Sequence, residues 1–146
     1  MEENGSAGDP GAGSPKIPLG DDYEYDEAHD NWGVVIAQQG DPTGAIDHYR
    51  AALAINPENA AAEVNWGNAL VRLGKGDEAI GHYRAALRLR PNNADAHLNW
   101  GVALAQEGKL TEAIDHFRAA LAIDPQHSDA KAYLERAQRL QGANRL

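Results

Sequence analysis

Six histidines are the side chains of this 146-residue sequence best suited to metal binding or proton transfer. His48, His82 and His116 recur at a step of 34 residues. Such a column predicts stacked copies of one helix, set apart by at least the ~8–10 Å between packed helices. Metal–nitrogen bonds are about 2 Å, so one ion cannot bridge two members of the column. No His-x3-His pair lies within a helix-length segment, and there is no cysteine to supply a thiolate or a disulfide. The nucleophile inventory is equally thin. Ser6 and Ser14 lie in a Gly/Pro-rich stretch, Ser128 stands alone, and Thr43 and Thr111 are placed to cap helices. Gly74-Lys75-Gly76-Asp77 lacks both the upstream glycine and the hydroxyl after lysine that a phosphate loop uses. These residues predict no catalytic site, no metal site and no cofactor.

The elements that carry these side chains are set by internal repetition. Asn-Trp-Gly occurs at Asn31-Trp32-Gly33, Asn65-Trp66-Gly67 and Asn99-Trp100-Gly101, and residues 60–93 agree with 94–127 at 18 of 34 positions. Gly40, Gly74 and Gly108 share the step, as do Ala45-Ile46, Ala79-Ile80 and Ala113-Ile114, and Pro57, Pro91 and Pro125. Within a unit, Ala62, Trp66, Ala69, Leu70 and Leu73 fall at three- and four-residue spacing, the stripe of an amphipathic helix over roughly 60–73. Gly74 follows, where a left-handed cap favours glycine. A second stripe, Ala79, Ile80, Tyr83, Ala86 and Leu87, predicts a helix over roughly 77–89 that Pro91 stops. Asp41-Pro42 and Asn93 read as helix starts. Gly67, Ala79 and Ala86 permit close helix approach, and Trp66 and Tyr83 are expected to fill the gaps between helices.

The 34-residue unit resembles the tetratricopeptide repeat, whose pattern Gly67, Ala79, Tyr83, Ala86 and Pro91 match together with their counterparts one repeat away. Two columns depart from it. The family's leading Trp position holds His29, Glu63 and His97, while Trp occupies its usual Leu position, an aromatic moved within the core. The resemblance implies an all-α fold, a right-handed α-solenoid of three helix-turn-helix repeats plus a C-terminal capping helix. The expected boundaries are residues 1–25 for a disordered acidic Gly/Pro-rich tail, 26–59, 60–93 and 94–127 for three repeats, and 128–146 for the capping helix and its tail. In the last segment Ala130, Leu134, Ala137 and Leu140 share one face. Tyr23-Glu24-Tyr25-Asp26-Glu27 reads as the start of the first helix, its acids favoured by the helix dipole.

The formal net charge of −9 divides into −5 over residues 1–25 (six acids, one base) and −4 over residues 26–146 (sixteen acids, twelve bases). Arg72, Lys75, Arg84, Arg88 and Arg90 make the middle locally basic, but without interleaved aromatics on a loop or sheet, so nucleic-acid binding is not expected. The acidic start lacks the pattern of a secretory signal, and no apolar run reaches membrane-spanning length. Together with the lack of cysteine this predicts a cytoplasmic protein without membrane insertion.

Function is expected in the concave wall formed by the first helix of each unit. By resemblance the column before Trp faces the groove, giving Asn31, Asn65 and Asn99, similar to the asparagine ladder in the repeats of the O-linked N-acetylglucosamine transferase family. A carboxamide carries donors and acceptors together and can hold an extended backbone without reading its sequence. Neighbouring columns complete the expected groove with Val34, Gln38, Val64, Asn68, Arg72, Leu98, Val102 and Gln106. The basic clamp with which chaperone adaptors of this family hold acidic tails has no counterpart. Its columns carry Asp30, Val34, Asn65, Asp95 and Asn99, which favours neutral or basic segments over acidic ones. The expected function is therefore non-enzymatic binding of a peptide segment of a partner protein. The alternatives are a self-assembling homo-oligomeric scaffold and the substrate-binding repeat domain of a larger enzyme.

Overall fold

The computed structural model describes residues 23–145, and the described residues form seven helices. These are α1 (Tyr23–Gln38), α2 (Pro42–Ile55), α3 (Ala60–Arg72), α4 (Gly76–Leu89), α5 (Ala94–Gln106), α6 (Leu110–Ile123) and α7 (Ser128–Asn144). The expected acidic tail falls almost entirely on residues 1–22, outside the described residues.

Local sequence explains where several of the helices begin and end, although α4 and α6 follow Lys75 and Lys109 without a side-chain cap. The Asp41 side chain accepts the Gly44 N–H ahead of Pro42 in the first turn of α2. Asn59 and Asn93 do the same for the N–H groups of Ala62 and Ala96 at the starts of α3 and α5. Gly40, Gly74 and Gly108 end α1, α3 and α5 with φ of 94°, 76° and 80°, the left-handed conformation that costs glycine nothing. The threonines do not cap. Thr43 and Thr111 lie inside α2 and α6, and the Thr111 hydroxyl accepts a hydrogen bond from Gln141 of α7 instead.

Each helix packs on the next, and α1, α3, α5 and α7 also touch one another in sequence. Among the described residues no such contact joins α2, α4 and α6, so the odd helices line the inside of the curve and the even ones splay outside. The tightest contact within a pair is glycine against ring. A Cβ on Gly33, Gly67 or Gly101 would fall 2.5, 2.6 or 2.5 Å from a ring carbon of Tyr49, Tyr83 or Phe117. These three rings are 2%, 1% and 0% exposed, and each contributes about 1.5–3 kcal/mol of burial. Ala45, Ala52, Ala79, Ala86, Ala113 and Ala120 complete the close seam.

The tryptophans are not core residues. Trp32 is 58% exposed, and Trp66 and Trp100 are partly buried and rest against the core from outside. On α7, Ala130 and Ala137 are buried and Leu134 partly so, but Leu140 stays 47% exposed, with no helix packed over it among the described residues. The glycine column is filled on α7 by exposed Glu135, which removes the notch that receives a ring in the earlier pairs.

Candidate functional site

The histidine column meets a second column across each helix pair. His29 and His48 approach Nδ1 to Nδ1 at 3.1 Å, as do His97 and His116. Between them, His82 Nδ1 lies 2.7 Å from Glu63 Oε2. An Nδ1–Nδ1 hydrogen bond needs one ring to donate and the other to accept. Burial and the neighbouring His97 push His116 down to about 4, with Asp115 opposing. Burial, followed by His48, lowers His29, and burial lowers His97. The tryptophans stack on this layer. Trp66 lies 4.2 Å from His82, and Arg50 of the preceding pair sits 5.5 Å above it. Trp100 repeats the arrangement with His116 and Arg84. Sequence reasoning did not pair the histidines across the hairpin. The signal was there in the column His29, Glu63, His97, whose members stand 19 residues before His48, His82 and His116. Among the described residues no group of three or more His, Cys, Asp or Glu side chains is placed to hold a metal.

A cleft of about 1180 Å³ runs along the N-terminal ends of the odd helices. Asp26, Glu27, Asp30 and Asn31 of α1 line it, with Asn56, Glu58 and Asn59 before α3, Arg90 and Asn93 before α5, Asp95 of α5, and Asp124 and His127 before α7. Its lining carries six carboxylates against one guanidinium. Asp26 is 2% exposed, and its Oδ2 accepts from Asn56 at 3.1 Å and Asn59 at 2.7 Å. Asp30 is 8% exposed and accepts from Asn65 at 2.8 Å. Burial raises the Asp30 carboxyl above the usual carboxylate range, the Asn65 bond offsets part of this, and Asp26 and Glu27 add to it. His127 holds two helices together, with Nδ1 accepting from the Ala130 N–H of its own helix and Nε2 donating to Asp95 at 2.9 Å.

The expected groove residues divide into several environments. Asn31 is exposed and lines the cleft. Asn65 is half-buried with its amide committed to Asp30, and Asn99 is half-buried. Val64 and Leu98 are each 7% exposed and belong to the core, so they are not open apolar contacts. Their column faces the neighbouring unit. Val34 is partly buried against the same core. The Asn68 carboxamide accepts from the Tyr83 hydroxyl at 2.8 Å, and exposed Arg72 donates to the Ala37 carbonyl at 2.7 Å. Gln38 is exposed, and Val102 and Gln106 line a separate hollow of about 330 Å³ between α5, α6 and α7. Asp26, Asn56, Asn59 and His127 were missed as site residues, because three of them lie in loops whose positions only the packed hairpins define.

Residues 64–128 match the family described as tetratricopeptide repeat, and residues 33–74 match a second description, TPR repeat. The chain is a tetratricopeptide-repeat protein. No curated protein matches it in sequence. Among solved structures, the tetratricopeptide domain of Arabidopsis OM64 is 25% identical, with 82% of this chain and 98% of that one aligned at a TM-score of 0.77. The first such domain of human RPAP3 is 23% identical over 83% and 95%, with a TM-score of 0.79. The second, solved in complex with the HSP70 peptide SGPTIEEVD, is 24% identical over 81% and 98%, with a TM-score of 0.74. The tetratricopeptide pattern accounts for the glycine–ring notches and the paired helices. In this protein the Trp column lies over histidine, outside the core.

Proposed function

We propose that this tetratricopeptide-repeat protein is a non-catalytic interaction module that holds a segment of a partner polypeptide along its odd helices, and that it selects neutral or basic segments. The sign of the cleft carries the reading. Six carboxylates and one arginine line it, so an acidic segment would meet like charge at close range. The second human RPAP3 domain is bound to a peptide ending in Glu-Glu-Val-Asp, the charge this cleft disfavours. Asn31, Asn65 and Asn99 are the polar column proposed to hold the partner's backbone, with Asn31 the most open of the three.

A peptide-display screen run on the wild type and on Asn31→Ala/Asn65→Ala/Asn99→Ala tests this. Enrichment of neutral or basic motifs by the wild type, lost in a triple variant that stays helical, is the expected result. Micromolar binding of an acidic-tailed peptide, or equal binding by the triple variant, would overturn it. A second reading, self-association through α7, has in its favour Leu140 and Tyr133, 47% and 39% exposed on one terminal helix. Sedimentation at increasing concentration reads that directly.

A further inference from the structure

The first unit breaks the pattern of the array at two buried positions. Asp26 stands where the next two units have Ala60 and Ala94, and Asp30 where they have Val64 and Leu98. All six side chains lie in the interface between successive units, and Ala60, Val64 and Leu98 are buried there as ordinary core. Two carboxylates one helical turn apart in such a place repel each other and lose hydration. They are not required as helix caps for α3, because Asn93 caps α5 in the same way with Ala60 in the place of Asp26.

The Asp26 carboxylate is also only half satisfied. Asn56 and Asn59 close its Oδ2 side, whereas Oδ1 is buried and has no hydrogen-bond partner among the described residues. A buried carboxyl oxygen without a hydrogen-bond partner is rare in a folded protein, and it marks a place where a donor belongs. The residue lines the acidic cleft, and Glu27 and Asp30 flank it there. A guanidinium suits such a site better than an ammonium. It is more weakly hydrated, and its planar fork can serve two carboxylates at once.

Resting on the peptide-binding reading above, we propose that Asp26 and Asp30 form a specificity pocket for an arginine side chain of the bound partner segment. Asp30 takes one arm of the fork, Asp26 Oδ1, which the incoming side chain must first uncover, takes another, and Glu27 adds long-range attraction at the rim.

The test is a ¹⁵N-detected titration of the full chain with a short blocked peptide, Ala-Gly-Ala-Arg-Ala-Gly, and with the same peptide carrying citrulline, which has arginine's shape without its charge. The expected result is saturable movement of the Asp26, Asp30 and Asn59 amides with the arginine peptide only. Asp26→Asn and Asp30→Val should each weaken binding at least about tenfold. Asp30→Val installs the residue the array already uses at Val64, so it preserves the fold, and circular dichroism checks both variants. Equal binding of the citrulline peptide, unchanged affinity in both variants, or no saturable shift up to millimolar peptide would each overturn the proposal. The two readings fail differently. If display enriches motifs in which arginine-to-citrulline exchange has no effect, the groove stands and the arginine pocket falls. If nothing enriches and the arginine peptide does not bind, both fall.

Discussion

The indole of Trp100 lies 4.1 Å from the imidazole of His116, at an interplanar angle of 29°. His116 is thus covered on one face by an aromatic ring, while its Nδ1 meets His97 at 3.1 Å. Trp66 and His82 repeat the stack one unit earlier at 4.2 Å, but there the imidazole partner is Glu63. Trp32 reaches His48 only edge-on, with ring centroids 6.4 Å apart. One repeated sequence thus gives three different histidine environments.

His116 should therefore titrate far below an ordinary histidine. Its folded pKa is lowered from 6.5 to about 4, so between these values the unfolded chain binds more protons than the folded one. The stability it contributes is complete above pH 6.5 and is lost as pH falls toward 4. His97 and His29 shift in the same direction. The charged groups facing His116 are His97 and Asp115, and only Asp115 opposes the shift. Following the imidazole proton shifts of His116 against pH should give a midpoint near 4. A midpoint near 6.5 would show that burial does not govern this ring.

Two glycines in one helix pair should respond with opposite signs to alanine. At Gly67 the new Cβ would stand 2.6 Å from Tyr83 Cε1, a ring 1% exposed with no space to retreat, so Gly67→Ala should cost about 1–3 kcal/mol. At Gly81, exposed inside α4, nothing lies within 4 Å of the added methyl, and Gly81→Ala should gain about 0.5–1 kcal/mol from helix propensity alone. Urea midpoints of the two variants, compared with the wild type, check both signs.

The contrast also shows what the sequence made legible. Gly67, Gly74, Ala79, Tyr83 and Pro91 at fixed offsets were enough to give the helix pairs, their order and their left-handed caps, because each encodes a local backbone or packing requirement. Trp66 misled, since a large apolar ring at helical spacing reads as core, whereas this one packs over His82 and under Arg50. Val64 and Leu98 were placed in the groove by column, yet both are buried in the core. Asp26 was read only as an acid at a helix start, and its burial was missed for a similar reason. Its burial depends on Asn56 and Asn59, 30 and 33 residues away, and no local pattern reports such a contact.

Tyr83 and Asn68 should behave as a coupled pair. The Tyr83 hydroxyl is buried and donates to Asn68 Oδ1 at 2.8 Å, and burial raises its pKa well above the usual phenol range. Tyr83→Phe should cost about 0.5–1.5 kcal/mol. Asn68→Val should cost about 1–3 kcal/mol, because it leaves a buried hydroxyl without an acceptor. The double variant reproduces the Val102–Phe117 pair of the third unit, so it should recover most of the loss. A double-mutant cycle from denaturant unfolding measures this. Simple addition of the two single costs would show that the hydrogen bond contributes nothing.

Arg84 and Arg118 occupy the same column but should not be equivalent. The Arg84 guanidinium lies 5.7 Å from the centroid of the Trp100 ring, whose lower face rests on His116. The position that follows Arg118 by the same interval holds Leu134, which has no π face to offer. Removing Arg84 takes away a cation over an aromatic ring at a partly exposed site, worth about 0.5–1 kcal/mol, and uncovers the indole to water. Arg84→Ala should therefore lower stability by that amount and alter Trp100 emission, while Arg118→Ala should leave the tryptophan emission unchanged. Trp66 also emits, so the comparison is made in a Trp66→Phe background, which leaves Trp100 and the exposed Trp32 as the reporters. Because Trp32 is already 58% exposed, an Arg84-dependent change is assigned to Trp100. Equal emission changes in the two arginine variants would mean that the guanidinium layer acts only as diffuse surface charge, and that the stacked Arg–Trp–His order has no energetic role.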